Sequence, residues 1–343
     1  AVDQEPSLAG LLGTLGEALR ALNGFECGCA LARLKELPTR EHETALVMDM
    51  MARCHFEMAD YAQAAEVFAR SCAKHKLHRN LSLEYYSTAL WHLREPVQLG
   101  SLAQQALDWD RLRPQTWCVV GNCLSLQREH EQAIRAFRRA VQVDPSFAYA
   151  YTLIAHEYSA IEKFDKAIEM YEHAVAADSR HYNAWWGLGS VYQRQEEYQK
   201  ARYHFQKAAA INAGNAVLKT SLGAILQSMG EQEQALRLFS SAMDGRPPSA
   251  MASFHRGAAL AALGRRDEAM EELRRAQGLA PREPCVHFQL GRIHASTGDA
   301  RKALSHYTIA MDLCGARDSK AIAAAQAEII RAGAQQRAGE LGR

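Results

Sequence analysis

The chain has 343 residues, 48% of them hydrophobic and 23% charged, and its 40 basic against 39 acidic residues leave a net charge of +1. So even a balance gives no electrostatic case for nucleic acid or a membrane surface as partner. No apolar run reaches the length of a membrane span, and no secretory signal opens the chain.

Length alone would argue for two or three domains, but the pattern along the chain is one of repeats. Over residues 7–38, Leu8, Leu11, Leu12, Leu15, Leu19 and Leu22 keep a helical stripe, Asn23-Gly24 breaks it, and Ala30 and Leu34 mark a second helix. Residues 42–77 repeat the plan, with Met48, Met51, Ala52 and Phe56, then Tyr61, Ala64 and Phe68. In residues 80–113 the first helix runs through Leu83, Tyr86, Leu90 and Leu93, Pro96 stands at its end, and Ala103 and Ala106 mark the second. Further units follow at 114–147, 148–181, 182–215, 216–249, 250–283 and 284–317. Pro145, Pro247 and Pro281 recur near the ends of their units, where Asp144 and Asp178 suit helix starts. Residues 318–332 read as one more amphipathic helix capping the ninth unit, and 333–343 as a disordered tail. The chain does not open on Met and its first repeat begins at once, which reads as a segment of a longer protein.

The unit at 182–215 is the most regular. Trp185-x2-Leu188-Gly189-x2-Tyr192, then Ala201-x3-Phe205 and Ala208, fills the tetratricopeptide signature at every position. Steps of 34 residues from Ala201 reach Ala133, Ala167, Ala235, Ala269 and Ala303. The same step from Gly189 reaches Gly121, Ala155, Gly223, Gly257 and Gly291, and from Phe205 it reaches Phe137, Tyr171, Phe239, Leu273 and Tyr307. Each unit is then a hairpin of helices A and B that cross closely at the small residues. One hairpin cannot bury its apolar face alone, so hairpins stack. The expected fold is all-α: a right-handed superhelical solenoid of about nine tetratricopeptide helix pairs with a C-terminal capping helix.

Consensus positions hold such a stack together, so function is sought at the helix A positions that face its concave groove. These are Glu84, Thr88 and Trp91 in repeat three, and Gln115, Cys118, Val119, Asn122 and Ser125 in repeat four. Repeat five offers Tyr149, Thr152, Leu153 and His156, and repeat six offers Asn183, Trp186 and Ser190. Repeats seven to nine offer the blander Thr220, Ala224, Phe254, Ala258, Phe288 and Arg292. One carboxylate among amides, hydroxyls and aromatic walls suits a short extended peptide with one basic side chain and a free C-terminus. Asn122 can donate to a terminal carboxylate.

Catalysis is not indicated. Glu84 has no second carboxylate at helical spacing, no Ser or Cys sits in a nucleophile motif, and Gly187-x-Gly189 lies inside a helix rather than in a phosphate loop. The eight cysteines, Cys27, Cys29, Cys54, Cys72, Cys118, Cys123, Cys285 and Cys314, form no CxxC pair and read as reduced thiols. Cys72, His75 and His78 are spaced for one helical face but lack a fourth ligand. No cofactor or metal is expected.

Four stretches carry a more specific resemblance: Tyr86-Ser-Thr-Ala-Leu-Trp-His-Leu93, Gly121-Asn-Cys-Leu-Ser-Leu-Gln-Arg-Glu-His130, Phe147-Ala-Tyr-Ala-Tyr-Thr-Leu153 and Arg180-His-Tyr-Asn-Ala-Trp-Trp-Gly-Leu-Gly189. They resemble the C-terminal repeat array of subunit three of the anaphase-promoting complex (cyclosome), over roughly residues 7–330 and most closely between 80 and 213. The resemblance implies a non-catalytic scaffold of a multisubunit ubiquitin ligase in nucleus and cytoplasm, acting in cell-cycle control. Its groove would capture the C-terminal Ile-Arg tails of coactivators and of a core subunit, and other subunits, tetratricopeptide ones included, would pack on it. By the same resemblance Asn122 and Leu153 belong to the tail site. Glu84 as partner of the tail's Arg follows from its position and charge. The N-terminal repeats through which the family homodimerises, and the phosphorylated loop after them, have no counterpart here.

Two other readings stand beside this one. A chaperone adaptor would need Lys or Arg clamping a carboxylate where Gln115, Cys118, Tyr149 and Thr152 stand. A repeat domain attached to a catalytic domain, as in tetratricopeptide glycosyltransferases, would show a ladder of Asn, and Asn122 stands alone at its position.

Overall fold

The computed structural model describes residues 8–75, 82–243, 249–314, 327–328 and 331. It divides into two compact units, Ala1–Leu218 and Lys219–Arg343. Unit 1 begins with α1 (Leu8–Asn23), α2 (Cys27–Lys35), α3 (Ala45–Glu57), α4 (Tyr61–His75), α5 (Leu83–Leu93) and α6 (Pro96–Trp109). It continues with α7 (Pro114–Leu126), α8 (His130–Val143), α9 (Ala148–Ala160), α10 (Phe164–Ala177), α11 (Tyr182–Arg194), α12 (Tyr198–Ile211) and the start of α13 (Ala216–Ser228). Unit 2 holds the rest of α13, then α14 (Gln232–Met243), α15 (Ala250–Ala262), α16 (Arg266–Leu279), α17 (Pro284–Ser296) and α18 (Ala300–Cys314). Odd-numbered helices are helices A and even-numbered ones helices B, paired as antiparallel hairpins in tetratricopeptide fashion. Among the described residues no helix is long and apolar enough to cross a membrane. Most of the capping helix expected over 318–332, the whole tail expected over 333–343, and Pro247 lie outside the described residues; Ala327, Glu328 and Arg331 are helical.

The small-residue column is explained by an aromatic column. A Cβ built on Gly121 would sit 2.2 Å from the Phe137 ring; on Gly189 it would sit 2.7 Å from Phe205, and on Gly223 2.5 Å from Phe239. Gly291 stands in the same relation to Tyr307, at 2.6 Å, and Gly257 to Leu273, at 2.8 Å. Helix B thus presses a ring into the space where helix A has no side chain, and these helix B residues are almost wholly buried. Repeat five is the exception that accounts for Gly187. Its glycine position holds Ala155, so the Tyr171 ring leans to the next helix A, where a Cβ on Gly187 would lie 2.2 Å away. The Tyr171 hydroxyl then meets Nδ1 of His156 at 2.8 Å.

Other local features recur with the same period. The A-to-B turn passes once through the left-handed region, at Phe25, Ala59, Arg94, Arg128, Glu162 and Glu196, and at Gly230, Gly264 and Gly298. Trp117 and Trp185 tie the start of helix A to the connection before it, their Nε1 donating to the carbonyls of Arg111 at 2.8 Å and Ser179 at 3.0 Å. Asp144 and Asp178 do not cap helix starts as their positions led us to expect. They end α8 and α10, and their Oδ1 atoms accept from the amides of Ser146 and Arg180, each at 2.9 Å. A short side chain four residues before the next helix serves the turn between the two helices.

Unit 1 also closes on itself through contacts that no repeat pattern announces. Phe25, in the α1–α2 turn, packs edge-on against Tyr182 with ring centroids 5.3 Å apart. Arg180 donates to the Asn23 carbonyl at 2.7 Å, and the Tyr182 hydroxyl donates to Glu57 Oε2 at 2.6 Å.

The ring-into-gap arrangement makes a paired prediction. Gly121→Ala destabilises unit 1 by about 1–3 kcal/mol, because the Phe137 ring must shift. Gly100→Ala, inside α6 with nothing within 4 Å of the added Cβ, is neutral or stabilising by up to about 1 kcal/mol. Urea unfolding of the two variants beside the parent checks the pair; equal effects would show that Phe137 does not fill that gap.

Candidate peptide-binding groove

Successive helices A lie side by side in unit 1, α3 against α5, α5 against α7, α7 against α9 and α9 against α11. Side chains one helix position apart in neighbouring repeats therefore meet. Asn122 of α7 is buried and donates through Nδ2 to Ser87 Oγ at 2.9 Å and to Thr88 Oγ1 at 3.1 Å. Thr88 Oγ1 also accepts from the Tyr149 hydroxyl at 2.8 Å. Asn122, Thr88 and Tyr149, from three repeats, form one hydrogen-bonded set, and both amide hydrogens of Asn122 are engaged within it. A second chain runs beside it: Trp91 Nε1 donates to Ser125 Oγ at 3.1 Å, and Ser125 donates to Glu157 Oε1 at 2.6 Å. Glu157 Oε2 meets His130 Nδ1 at 2.7 Å.

The remaining expected positions divide. Leu153 is half-buried against the core beside Tyr149 and Ile154. His156 and Trp186 are half-buried with ring centroids 6.2 Å apart, and burial pushes the His156 imidazole down to about 4. Asn183 and Gln115 are half-buried, and Gln115 Oε1 is buried without a hydrogen-bond partner. Cys118 and Val119, read from the sequence as groove-facing, are instead fully buried in the core. Thr152 is buried too, and its hydroxyl turns back to the Ala148 carbonyl at 3.2 Å. Cys118 and Val119 join the apolar core clusters of unit 1. His78 of the zinc candidate lies outside the described residues, and among those described no three His, Cys, Asp or Glu groups are placed to share a metal ion.

Glu84 is not the lone carboxylate that the sequence reading made it. Asp49, Arg53 and Glu57 stand four residues apart on α3, on one helical face, and each lies 35 residues before Glu84, Thr88 and His92 in turn. Counting helix A positions back into repeat two, with its extra residue, would have found them. Asp49, Glu57 and Glu84 are 4%, 5% and 7% exposed. Asp49 Oδ2 accepts from Ser82 at 2.9 Å and Glu57 Oε2 from Tyr182, but Asp49 Oδ1 and Glu84 Oε2 are buried with no partner. The Arg53 guanidinium lies 5.2 Å over the Tyr85 ring. Burial pushes the Glu84 carboxyl up to about 7, with Asp49 adding to the rise, and burial likewise raises Asp49 and Glu57.

That shift sets a stability slope with a definite sign. A carboxyl held above its unfolded range disfavours the folded chain once the unfolded group ionises, and the penalty grows until the folded group has ionised as well. For Glu84 that window runs from pH 4.5 to about 7. Glu84→Gln removes the penalty, so the variant gains on the parent by on the order of 2 kcal/mol between pH 5 and pH 8. Urea midpoints of parent and variant at the two pH values check it; a difference that does not change with pH would place Glu84 in water.

Comparison with known proteins bears on what this groove belongs to. Tetratricopeptide-repeat profiles match residues 114–147, 152–216 and 222–284. Among curated proteins, cell division cycle protein 27 homolog B of Arabidopsis thaliana is 42% identical over 153 residues, 44% of this chain and 20% of that protein. Anaphase-promoting complex subunit 3 of Schizosaccharomyces pombe is 38% identical over 168 residues, 47% of this chain and 24% of that protein. The cell division cycle protein 27 homolog of Homo sapiens is 40% identical over 139 residues, 40% of this chain and 17% of that protein. The matched part thus spans about a fifth of the length of these relatives. A crystal structure of the APC/C hetero-tetramer Cut9-Hcn1 superposes with a TM-score of 0.73 at 18% identity, covering 92% of this chain and 62% of that one, a likeness of fold. The chain is built of tetratricopeptide repeats, and somewhat less than half of it, at about 40% identity, is homologous to cell division cycle protein 27, anaphase-promoting complex subunit 3.

Proposed function

We propose that the chain is a non-catalytic scaffold portion of an anaphase-promoting-complex-type ubiquitin ligase, and that the helix A face of unit 1 binds C-terminal peptide tails ending in Ile-Arg. The observation that carries this reading is the pair of buried carboxylate oxygens without partners, on Asp49 and Glu84, beside the Asn122–Thr88–Tyr149 set. An unpaired carboxylate oxygen held out of water is costly alone and favourable beside a guanidinium. The neighbouring amide and hydroxyls are the groups that a terminal carboxylate needs. Homology to anaphase-promoting complex subunit 3 supports the setting, with coactivators and other subunits of the ligase, tetratricopeptide ones included, as partners. The tail's Ile packs on Leu153. Its carboxylate replaces Thr88 Oγ1, the longer of the two contacts of Asn122.

A charged acceptor then stands where a neutral hydroxyl stood, so Asn122→Ala weakens a peptide ending in Ile-Arg about tenfold. Leu153→Ala penalises the Ile without altering the preference for Arg. Amidating the peptide terminus makes Asn122→Ala nearly silent, since both changes remove one contact. Calorimetry of the four combinations is the test. Fully additive losses would separate Asn122 from the carboxylate and end this reading of the site.

A further inference from the structure

The cluster around Glu84 has a charge imbalance. Three carboxyls, Asp49, Glu57 and Glu84, each at least nine-tenths buried, face one guanidinium, Arg53, across two adjacent helices A. Glu57 is satisfied by Tyr182, and Asp49 in part by Ser82, whereas Asp49 Oδ1 and Glu84 Oε2 have no hydrogen-bond partner. Three ionised carboxylates against Arg53, with Arg113 acting on Glu84 from the α6–α7 connection, would leave uncompensated negative charge out of water, a state that proteins relieve by binding a proton or a cation. Resting on the tail-binding reading above, we infer that the empty cluster holds a proton on Glu84 and gives it up when a ligand's guanidinium enters, so that tail binding is coupled to proton release.

The exchange balances simply. The Glu84 carboxyl loses its proton to the buffer, the carboxylate pairs with the arriving cation, and the net charge of the cluster with its ligand stays as it was. The titratable and charged groups in and around the cluster allow it. On α3 these are Asp49, Arg53 and Glu57; beside it on α5 is Tyr85. From the α6–α7 connection Arg113 favours its ionised form, but not enough to offset burial. Cys118 and Tyr149, from α7 and α9, are pushed well above their usual ranges by burial and stay neutral at physiological pH. Tyr182, on α11, behaves in the same way. His156 and His181 are held down to about 4 and do not titrate between pH 6 and 8. Glu84, pushed up to about 7, titrates in that range, and burial raises its neighbours Asp49 and Glu57 as well.

The test is calorimetry of an N-acetylated peptide ending in Ile-Arg with a free C-terminus, at pH 6, 7 and 8, in buffers of different ionisation enthalpy. A second peptide carries citrulline, the neutral isostere of Arg. Expected are release of about half a proton per peptide at pH 7 and a roughly tenfold gain in affinity from pH 6 to pH 8. The citrulline peptide releases none. Glu84→Gln abolishes the pH dependence with the Arg peptide; the two-peptide comparison uses the parent protein and stands if that variant fails to fold. Binding with no proton release and no pH dependence would overturn the coupling while leaving the tail site intact. Proton uptake would overturn it too, by moving the titration to His156 or His181. No binding at any pH would overturn both the coupling and the tail site.

Discussion

Each hairpin depends on one steric fit: a ring, or in one pair a leucine, on helix B occupying the place of the side chain that helix A lacks. Phe137 over Gly121 and Phe205 over Gly189 set how closely the two helices of a pair approach. Packed interiors tolerate neither a gap nor an extra methylene at such a contact, so the crossing is reproduced from pair to pair. Repeat five shows how little freedom remains. Once Ala155 stands in the glycine position, Tyr171 must find space elsewhere, and it does so over Gly187 of the next pair. The hydroxyl that this displacement delivers to His156 is a consequence of the packing.

Because the crossing fixes the stacking of helices A, it also decides which positions meet. Asp49 and Glu84 hold the same position in successive repeats, and so do Arg53, Thr88 and Asn122. A solenoid that aligns equivalent positions converts a few polar substitutions into a continuous polar strip. In unit 1 that strip has two halves of different chemistry. Neutral donors and acceptors around Asn122 satisfy one another, whereas the carboxylates around Arg53 do not. Two buried oxygens without partners lower the stability of the empty protein, and they are where a cationic ligand would act most strongly.

The periodic features were legible in the sequence. Glycine, alanine and aromatic columns at 34-residue steps are local consequences of one crossing geometry, and they specify the hairpins as well as the helix A positions where Thr88, Asn122 and Tyr149 meet. What escaped had no period to betray it. The Phe25–Tyr182 and Glu57–Tyr182 contacts join residues more than 120 positions apart, and nothing in either stretch points to the other. Asp49, Arg53 and Glu57 were missed because the extra residue in repeat two shifts its register by one. Cys118 and Val119, counted as groove positions, are packed in the apolar core, and the Thr152 hydroxyl is spent on its own helix.

The central claim is that the Asp49–Glu84 cluster and the Asn122–Thr88 set are two ends of one peptide site. A crystal structure of the protein with a bound peptide ending in Ile-Arg tests it most directly. The account predicts the guanidinium within hydrogen-bond distance of Glu84 Oε2 and Asp49 Oδ1, with the terminal carboxylate on Asn122 Nδ2. A peptide seated on the helix B face, or one with its Arg in solvent and Glu84 Oε2 still without a partner, would contradict it.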